Sequence, residues 1–307
     1  MIRSSFSESI SIDGASMPIQ TASLPVTDRG FLFGDSIYEV FRTYRGVPLY
    51  FDLHWERFLN SAKLIHLEVP FSKDKLLLDI KNLCQYAHVD KGKDYYFRFI
   101  LTRGDGFDLS AKQLSSPRLI ILIKELPNWD KRYYISGISL WTPSLLRNSP
   151  RALDPNIKGG NYLNNILGAI EANSSDYDDA VFLNADSEVT ESSTANIFFV
   201  FADRIATPSV NSGLLKGITR QALLDLQKIN NRPIVEEKLF IQEIEKATEA
   251  FITSSTREVM PIKKIGSKAN IINFNVDDES VTKLVSKGYK ETILTHIDKY
   301  KDLILFS

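Results

Sequence analysis

Cysteine is almost absent. Cys84 is the only one in 307 residues, so no internal disulfide can form, and no CxxC or Cys/His cluster is available for structural zinc. That scarcity fits a reducing compartment. Histidine is scarce too: His54, His66, His88 and His296 stand at no metal-ligating spacing. An excess of charge of one sign is also missing. With 37 Lys+Arg against 38 Asp+Glu, the net charge of −1 excludes the basic surplus of a nucleic-acid-binding protein. No uninterrupted apolar run approaches the ~20 residues of a membrane-spanning helix. The opening segment, with Arg3, lacks the apolar core of a signal peptide. The expectation is a soluble cytoplasmic protein with no nucleic-acid partner, no membrane partner and no metal.

What is present is a 43% apolar composition, enough for a sizeable core, over a length that suits two domains. The apolar pattern switches repeatedly between period 2 and period 3.6, so α and β structure are mixed. Ile37–Tyr44 and Val47–Phe51 read as strands joined by the Arg45-Gly46 turn. Asp52 reads as the N-cap of a helix to about Leu67, and Ser72 as the cap of another to about Tyr86. Further strands are predicted at Tyr95–Leu101, Arg118–Ile123 and Tyr133–Trp141. The irregular stretch that follows holds Pro143, Pro150 and Pro155. A second mixed unit then has helices at about Asn161–Ala172, Gly217–Lys228 and Val276–Tyr300. Its strands fall at Ala180–Leu183, Asn196–Phe201, Ile205–Thr207, Ile234–Glu237 and Ala250–Thr253. No repeat or low-complexity segment is visible. The expected organisation is an α/β (or α+β) domain over 1–141, a loop over 142–152, and a second such domain over 153–307.

Four features could carry chemistry. Gly217-Ile218-Thr219-Arg220 stands at the mouth of a predicted helix, where free N–H groups and the helix dipole favour an anion, although Gly-x-Thr before a helix is more often simple capping. Lys158 lies between a loop and a helix beside Gly159 and Gly160. Burial or nearby cations can turn such an amine into a Schiff-base nucleophile, although a lysine before a helix is ordinarily an exposed one. Glu191 sits in a run of small hydroxyl residues, as either a solvated turn acid or a buried acceptor for a ligand N–H. Arg98 shares a strand face with Tyr96 and Ile100, opposite Phe97, Phe99 and Leu101. A guanidinium there needs a partner, either a structural carboxylate or a substrate carboxylate. Arg103 and Arg147 read as solvated loop residues, Asp105-Gly106 as a turn, and Cys84 as part of an amphipathic helix.

Six segments in order resemble the motifs of the fold-type IV, class IV pyridoxal-phosphate aminotransferases. That family includes branched-chain and D-amino-acid aminotransferases and aminodeoxychorismate lyase. The segments are Gly34-Asp35-Ser36-Ile37-Tyr38-Glu39; His54-Trp55-Glu56-Arg57-Phe58; Lys158-Gly159-Gly160-Asn161-Tyr162-Leu163; Val189-Thr190-Glu191 through Asn196; Gly217-Ile218-Thr219-Arg220; and Phe251-Ile252-Thr253-Ser254-Ser255-Thr256-Arg257-Glu258-Val259. They span some 230 residues, so the resemblance covers nearly the whole chain. Two departures stand out. Ser192 replaces the usual glycine after the glutamate. The Lys158-to-Asn161 spacing is one shorter than in typical branched-chain enzymes and is similar to that of the D-amino-acid and lyase branches.

The resemblance implies two domains, each a mixed sheet or barrel with flanking helices, and an active site between them completed by a second subunit of a homodimer. It implies pyridoxal 5'-phosphate as cofactor. Lys158 would bind it covalently and move a proton during catalysis. Glu191 would pair with the pyridine nitrogen and Tyr162 with the phenolic oxygen. Arg57, Ile218, Thr219 and Ser255 would hold the phosphate. On the substrate side it points to Phe33, Tyr38, Arg42, Tyr96, Arg98 and Thr256. Tyr96-Phe97-Arg98 and Arg42 lean toward the branched-chain branch. Phe33, in place of a pocket tyrosine, and Thr102-Arg103-Gly104 lean away from it. The implied activity is transfer of an amino group from an amino acid, branched-chain-like or D-configured, to a 2-oxo acid such as 2-oxoglutarate. The alternatives are an aminodeoxychorismate lyase using the same lysine, and a non-catalytic dimeric relative.

Overall fold

The computed structural model describes residues 6–110 and 116–306; Arg3 and the rest of the opening pentapeptide lie outside the described residues. The architecture is mixed α/β, as the alternating periodicities predict. By contacts the chain divides into two compact units. The first comprises the chain up to Pro127, Ile157–Asn161 and the chain from Ile293. The second comprises Asn128–Asn156 and Tyr162–Thr292.

The first unit is built on a six-stranded antiparallel sheet. Its strands are β1 (Ser9–Ile12), β2 (Ala15–Pro18), β3 (Ser36–Tyr44), β4 (Val47–Pro48), β5 (Tyr95–Thr102) and β6 (Arg118–Glu125), in the order β2-β1-β6-β5-β3-β4. Helices α1 (Arg29–Phe33), α2 (Phe51–Leu64) and α3 (Lys73–Tyr86) belong to it. Strand alternation explains the core. Ile37, Phe41, Phe97, Phe99 and Leu101 are fully buried, with Phe58 of α2 and Leu76, Ile80 and Leu83 of α3 in the same cluster. Phe41 and Phe97 stack at 4.9 Å between ring centroids. Each such ring contributes about 1.5–3 kcal/mol through burial. The register pairs Tyr38 with Ile100, Val40 with Arg98, and Arg42 with Tyr96, so these six share the opposite face.

The second unit holds α4 (Arg132–Ser136), β7 (Ile138–Trp141), α5 (Leu163–Ser174), β8 (Asp179–Leu183), β9 (Val189–Ser192), β10 (Asn196–Val200) and β11 (Ile205–Pro208). Then come α6 (Ile218–Asp225), β12 (Lys228–Ile229), β13 (Arg232–Glu237), α7 (Ile241–Ile244), β14 (Glu249–Ser254), β15 (Glu258–Gly266), β16 (Ile271–Asn273) and α8 (Val281–Lys299). The sheet runs β12-β13-β11-β10-β14-β15-β7-β8-β9, with β16 paired to β15. From Ile293 onward, α8 counts with the first unit. Among the described residues no helix is long and apolar enough to cross a membrane.

Several expectations are corrected. Tyr133–Trp141 is not one strand: Arg132–Ser136 is a helical turn, and only Ile138–Trp141 is extended. Asp130 accepts from the Arg132 N–H and so starts that turn, and Gly137 at φ 74° ends it; these signals outweigh the β-branched composition. Asp52 is not an N-cap. Tyr50 holds that position in a left-handed conformation, and Asp52 lies in the first turn, paired to Lys73 at 2.9 Å. Ser72 does cap α3, accepting from the Lys75 N–H. The C-terminal helix starts at Val281 rather than Val276, because the buried Glu249 carboxylate accepts from the N–H groups of Val281 and Thr282. The segment carrying Lys158 was expected in the 153–307 domain. Its contacts are with the first unit, since Gly159 bridges to Ile37 and Ser36 accepts from the Gly160 N–H.

Candidate active site

Lys158 lies in a short extended segment between turns. Its N–H donates to Ser61 Oγ at 3.1 Å, and its carbonyl accepts from the Tyr38 N–H at 2.8 Å. The backbone is therefore fixed to β3 and α2, while the half-buried side chain directs Nζ to within 3.5 Å of the Tyr38 hydroxyl. Nζ lies 4.6 Å from the centre of the Tyr38 ring, and the Arg98 guanidinium lies 4.0 Å from it. Tyr38 thus gathers a primary amine and a guanidinium at one phenol. Among the described residues Arg98 Nε is buried without a hydrogen-bond partner. Among the described residues no structural carboxylate is bonded to it, which leaves the substrate-carboxylate alternative standing. Arg42 lies over the Tyr44 ring at 4.1 Å, and Tyr96 is its cross-strand neighbour.

On the core face of β3, between Ile37 and Phe41, stands Glu39. Its carboxylate has no exposure and would be costly there without partners. Both come from α2. Arg57 donates Nε to Oε1 at 2.6 Å and Nη2 to Oε2 at 2.8 Å, and His54 Nδ1 lies 2.6 Å from Oε2. Burial alone would raise the Glu39 pKa. Arg57, with its charge and its hydrogen bonds, and His54 outweigh burial and hold it at about 2. Burial lowers the His54 pKa despite Glu39, so the imidazole is neutral at neutral pH and donates from Nδ1 to the carboxylate. The result is an arginine gripped in bidentate fashion by a carboxylate that is ionised at neutral pH.

In the second unit Glu191 is buried on β9. Oε1 accepts from Arg147 Nη2 at 2.6 Å; Oε2 accepts from Asn196 Nδ2 at 3.3 Å and from the Leu215 N–H at 3.2 Å. Ser192, the residue in the usual glycine position, is buried and has no left-handed backbone, so the chain needs no glycine there. Gly217, by contrast, is required. A Cβ at that position would run into Asn196 Oδ1, on the same side chain that reaches Glu191. Gly217 is the N-cap of α6 and offers no side-chain cap, so the first N–H groups, at Ile218 and Thr219, have no capping side chain. Thr219 is buried with its hydroxyl 3.5 Å from that of Tyr289. Ser255 and Thr256 occupy the turn between β14 and β15. Arg257 fixes that turn by bonding Thr194 Oγ1 at 2.6 Å, and its carbonyl accepts from the Tyr134 hydroxyl at 3.1 Å. Tyr162 is the N-cap of α5. Phe33 ends α1, with the Arg29 guanidinium 5.5 Å from its ring.

Two arginines expected in solvent are not there. Arg103 is buried, pairs with Asp35 at 2.7 Å and donates to the carbonyls of Ile65 and His66. Arg147 pairs with Glu191, as above. Glu39 and His54 stood in quoted motifs without roles. The available signal was strand alternation, which puts Glu39 on the Phe41 face, and the i,i+3 spacing of His54 and Arg57 on one helix face. Nothing near Arg147 in the chain points to Glu191, 44 residues away.

Known proteins bear on this arrangement. The family model for amino-transferase class IV matches residues 36–265. A Methanocaldococcus jannaschii protein named as a branched-chain-amino-acid aminotransferase is 31% identical over 283 residues, 92% of this chain and 95% of that one. The D-alanine aminotransferase of Listeria innocua is 31% identical over 254 residues, 80% of this chain and 83% of that one. The crystal structure of the branched-chain aminotransferase of Thermoproteus uzoniensis with norvaline superposes with a TM-score of 0.85 at 26% identity, covering 97% of this chain and 98% of that one. The fold is therefore fold type IV. The chain belongs to the class IV aminotransferases, enzymes that use pyridoxal 5'-phosphate to move an amino group between an amino acid and a 2-oxo acid.

Proposed function

We propose that this aminotransferase takes its amino group from amino acids with branched aliphatic side chains and passes it to 2-oxoglutarate or a similar 2-oxo acid, with Lys158 as the catalytic residue. The donor set fits pyridoxal 5'-phosphate. It comprises a primary amine on a fixed backbone, a buried carboxylate held by its own arginine, an arginine held by its own carboxylate, and a helix start without a capping side chain. Lys158 Nζ would hold the cofactor covalently, and Glu191 would pair with its pyridine nitrogen. Tyr162 would bond the phenolic oxygen. Arg57, Ser255 and the N–H groups at Ile218 and Thr219 would hold the phosphate. When bound, the cofactor supplies an electron sink for negative charge developing at the substrate Cα.

The chain's own residues do the rest. Lys158 Nζ would take the proton from the substrate Cα and deliver it to the cofactor's C4′. Arg98, with a buried Nε unpartnered among the described residues, receives the substrate carboxylate; the Tyr38 ring packs against its guanidinium at 4.0 Å. Arg42, Tyr96, Phe33 and Thr256 line the substrate side. The protein works as a cytoplasmic homodimer.

The observation that carries the reading is the convergence of Lys158 and Arg98 on Tyr38. The preference for branched-chain donors is supported by relatives of that name, which match over 92% of the chain. The D-alanine aminotransferases of Listeria support D-amino acids as the second reading. A panel of L- and D-amino acids with 2-oxoglutarate tests it. Glutamate formed fastest from L-leucine, L-isoleucine or L-valine is expected. Glutamate formed only from D-amino acids would transfer the proposal to the second reading. Pyruvate release from aminodeoxychorismate without any glutamate would replace it with the lyase.

A further inference from the structure

We infer that Arg147 is a positioning residue for the reaction: it keeps Glu191 ionised and oriented, so that a proton shared with the cofactor's ring nitrogen rests on the nitrogen. The inference relies on the proposed role of Glu191. It begins with burial. The Arg147 and Glu191 side chains are 11% and 7% exposed and meet at 2.6 Å, so neither charge is screened by bulk water. Arg147 is itself immobilised. Its N–H donates to the Leu183 carbonyl at 2.8 Å, and the Leu146 carbonyl beside it accepts from Asn164 Nδ2 at 2.9 Å. Its Nη1 donates to Asn165 Oδ1 at 2.9 Å, and Asn165 Nδ2 donates to the Ser193 carbonyl at 2.6 Å. One guanidinium thereby spans Glu191 and, through Asn165, the turn just beyond it. A proline-bearing stretch without regular structure is locked to β8 by the Arg147 backbone N–H and to α5 and β9 by its side chain.

The electrostatic consequence has a definite sign. Arg147 touches the carboxylate directly, whereas any base bonded to that carboxylate lies farther from the guanidinium. Arg147 therefore stabilises the ionised carboxyl more than it opposes a cation beyond it. The shared proton is driven toward the ring nitrogen, where it strengthens the electron sink. A neutral residue at position 147 would let Glu191 keep the proton. Asn196 Nδ2 and the Leu215 N–H, which also donate to Glu191, are neutral and sit at 3.3 and 3.2 Å, longer than the ion pair.

The test uses holoenzyme reconstituted with nitrogen-15-labelled cofactor and reads the ring-nitrogen chemical shift, together with cofactor dissociation by dialysis. Arg147→Met and Arg147→Gln should both move the resonance toward the unprotonated position and raise the cofactor dissociation constant about tenfold, the equivalent of about 1.4 kcal/mol. Arg147→Lys should hold the resonance near that of the wild type. The glutamine variant keeps hydrogen-bonding capacity and serves if the methionine variant does not fold. Uncharged variants that retain the wild-type resonance would overturn the inference while leaving Glu191's role intact. A Glu191→Gln protein that also keeps that resonance would instead overturn the Glu191 reading beneath it.

Discussion

In the first unit the carboxylate of Glu39 is the sealed partner and Arg57 the more accessible one; in the second, Glu191 is held by an arginine that is itself fixed elsewhere. The bond lengths differ accordingly. Glu39 receives three contacts of 2.6–2.8 Å, which occupy both oxygens with charged or strongly polarised donors. Glu191 receives one such contact on Oε1 and two longer ones from neutral groups on Oε2. The Glu39 pair is thus built to deliver a guanidinium, and the Glu191 pair to deliver a carboxylate.

The largest expected effect lies at the residue that neither pair replaces. Lys158→Ala should lower transamination by more than about a thousandfold, in line with loss of a positioned proton-transfer group. Its thermal stability should stay close to that of wild type, because the half-buried side chain makes few structural bonds. Comparable turnover would reassign the lysine.

The second effect separates the two carboxylates. Glu39→Gln leaves the partly buried Arg57 charge uncompensated and should destabilise the protein by about 3 kcal/mol in denaturant unfolding. Glu191→Gln should cost less, since Arg147 also bonds Asn165. Equal losses would erase the distinction between them.

The third effect is acid sensitivity. The folded Glu39 pKa is depressed to about 2 from 4.5, so its contribution is complete above pH 4.5 and is lost as pH falls toward 2. That contribution is about 3 kcal/mol, taken from a shift of this size at 1.36 kcal/mol per unit. Unfolding midpoints followed between pH 6 and 2.5 should fall steeply in the wild type, and less steeply in Glu39→Gln. Parallel slopes would refute the assignment.

The smallest effect is at Tyr38. Tyr38→Phe removes one hydroxyl from Lys158 Nζ but keeps the ring beneath Arg98, and about fivefold in kcat is expected, the worth of about one hydrogen bond. A loss as large as that of Lys158→Ala would mean the phenol itself carries a proton.

Local chemistry is what the sequence makes legible. Period-2 apolar runs locate β3, β5 and β6, and Ser72 announces α3. The lysine between loop and helix, the glutamate among hydroxyls and the Gly217 helix start are recognisable as motifs. What escapes is pairing over distance. Arg103 and Arg147 look like loop residues because their carboxylates are supplied by distant parts of the chain, Asp35 before β3 and Glu191 on β9. The contact of the Lys158 segment with β3 is equally hidden: proline spacing suggests a boundary before it, and the bonds that tie it to the first unit go to distant residues, Ser36, Tyr38 and Ser61. Competing local signals produce the remaining errors. At Asp130–Gly137 a side-chain turn start overrides strand propensity, and at Val281 a cap from β14 decides where the helix begins.

The central claim is that Lys158 carries the cofactor of an aminotransferase. Borohydride reduction of the holoenzyme, followed by peptide mass mapping, tests it most directly. The account predicts a single added phosphopyridoxyl mass on the peptide containing Lys158, with loss of the reducible absorbance. The same mass on another lysine, or a protein that binds the cofactor without any covalent attachment, would contradict it.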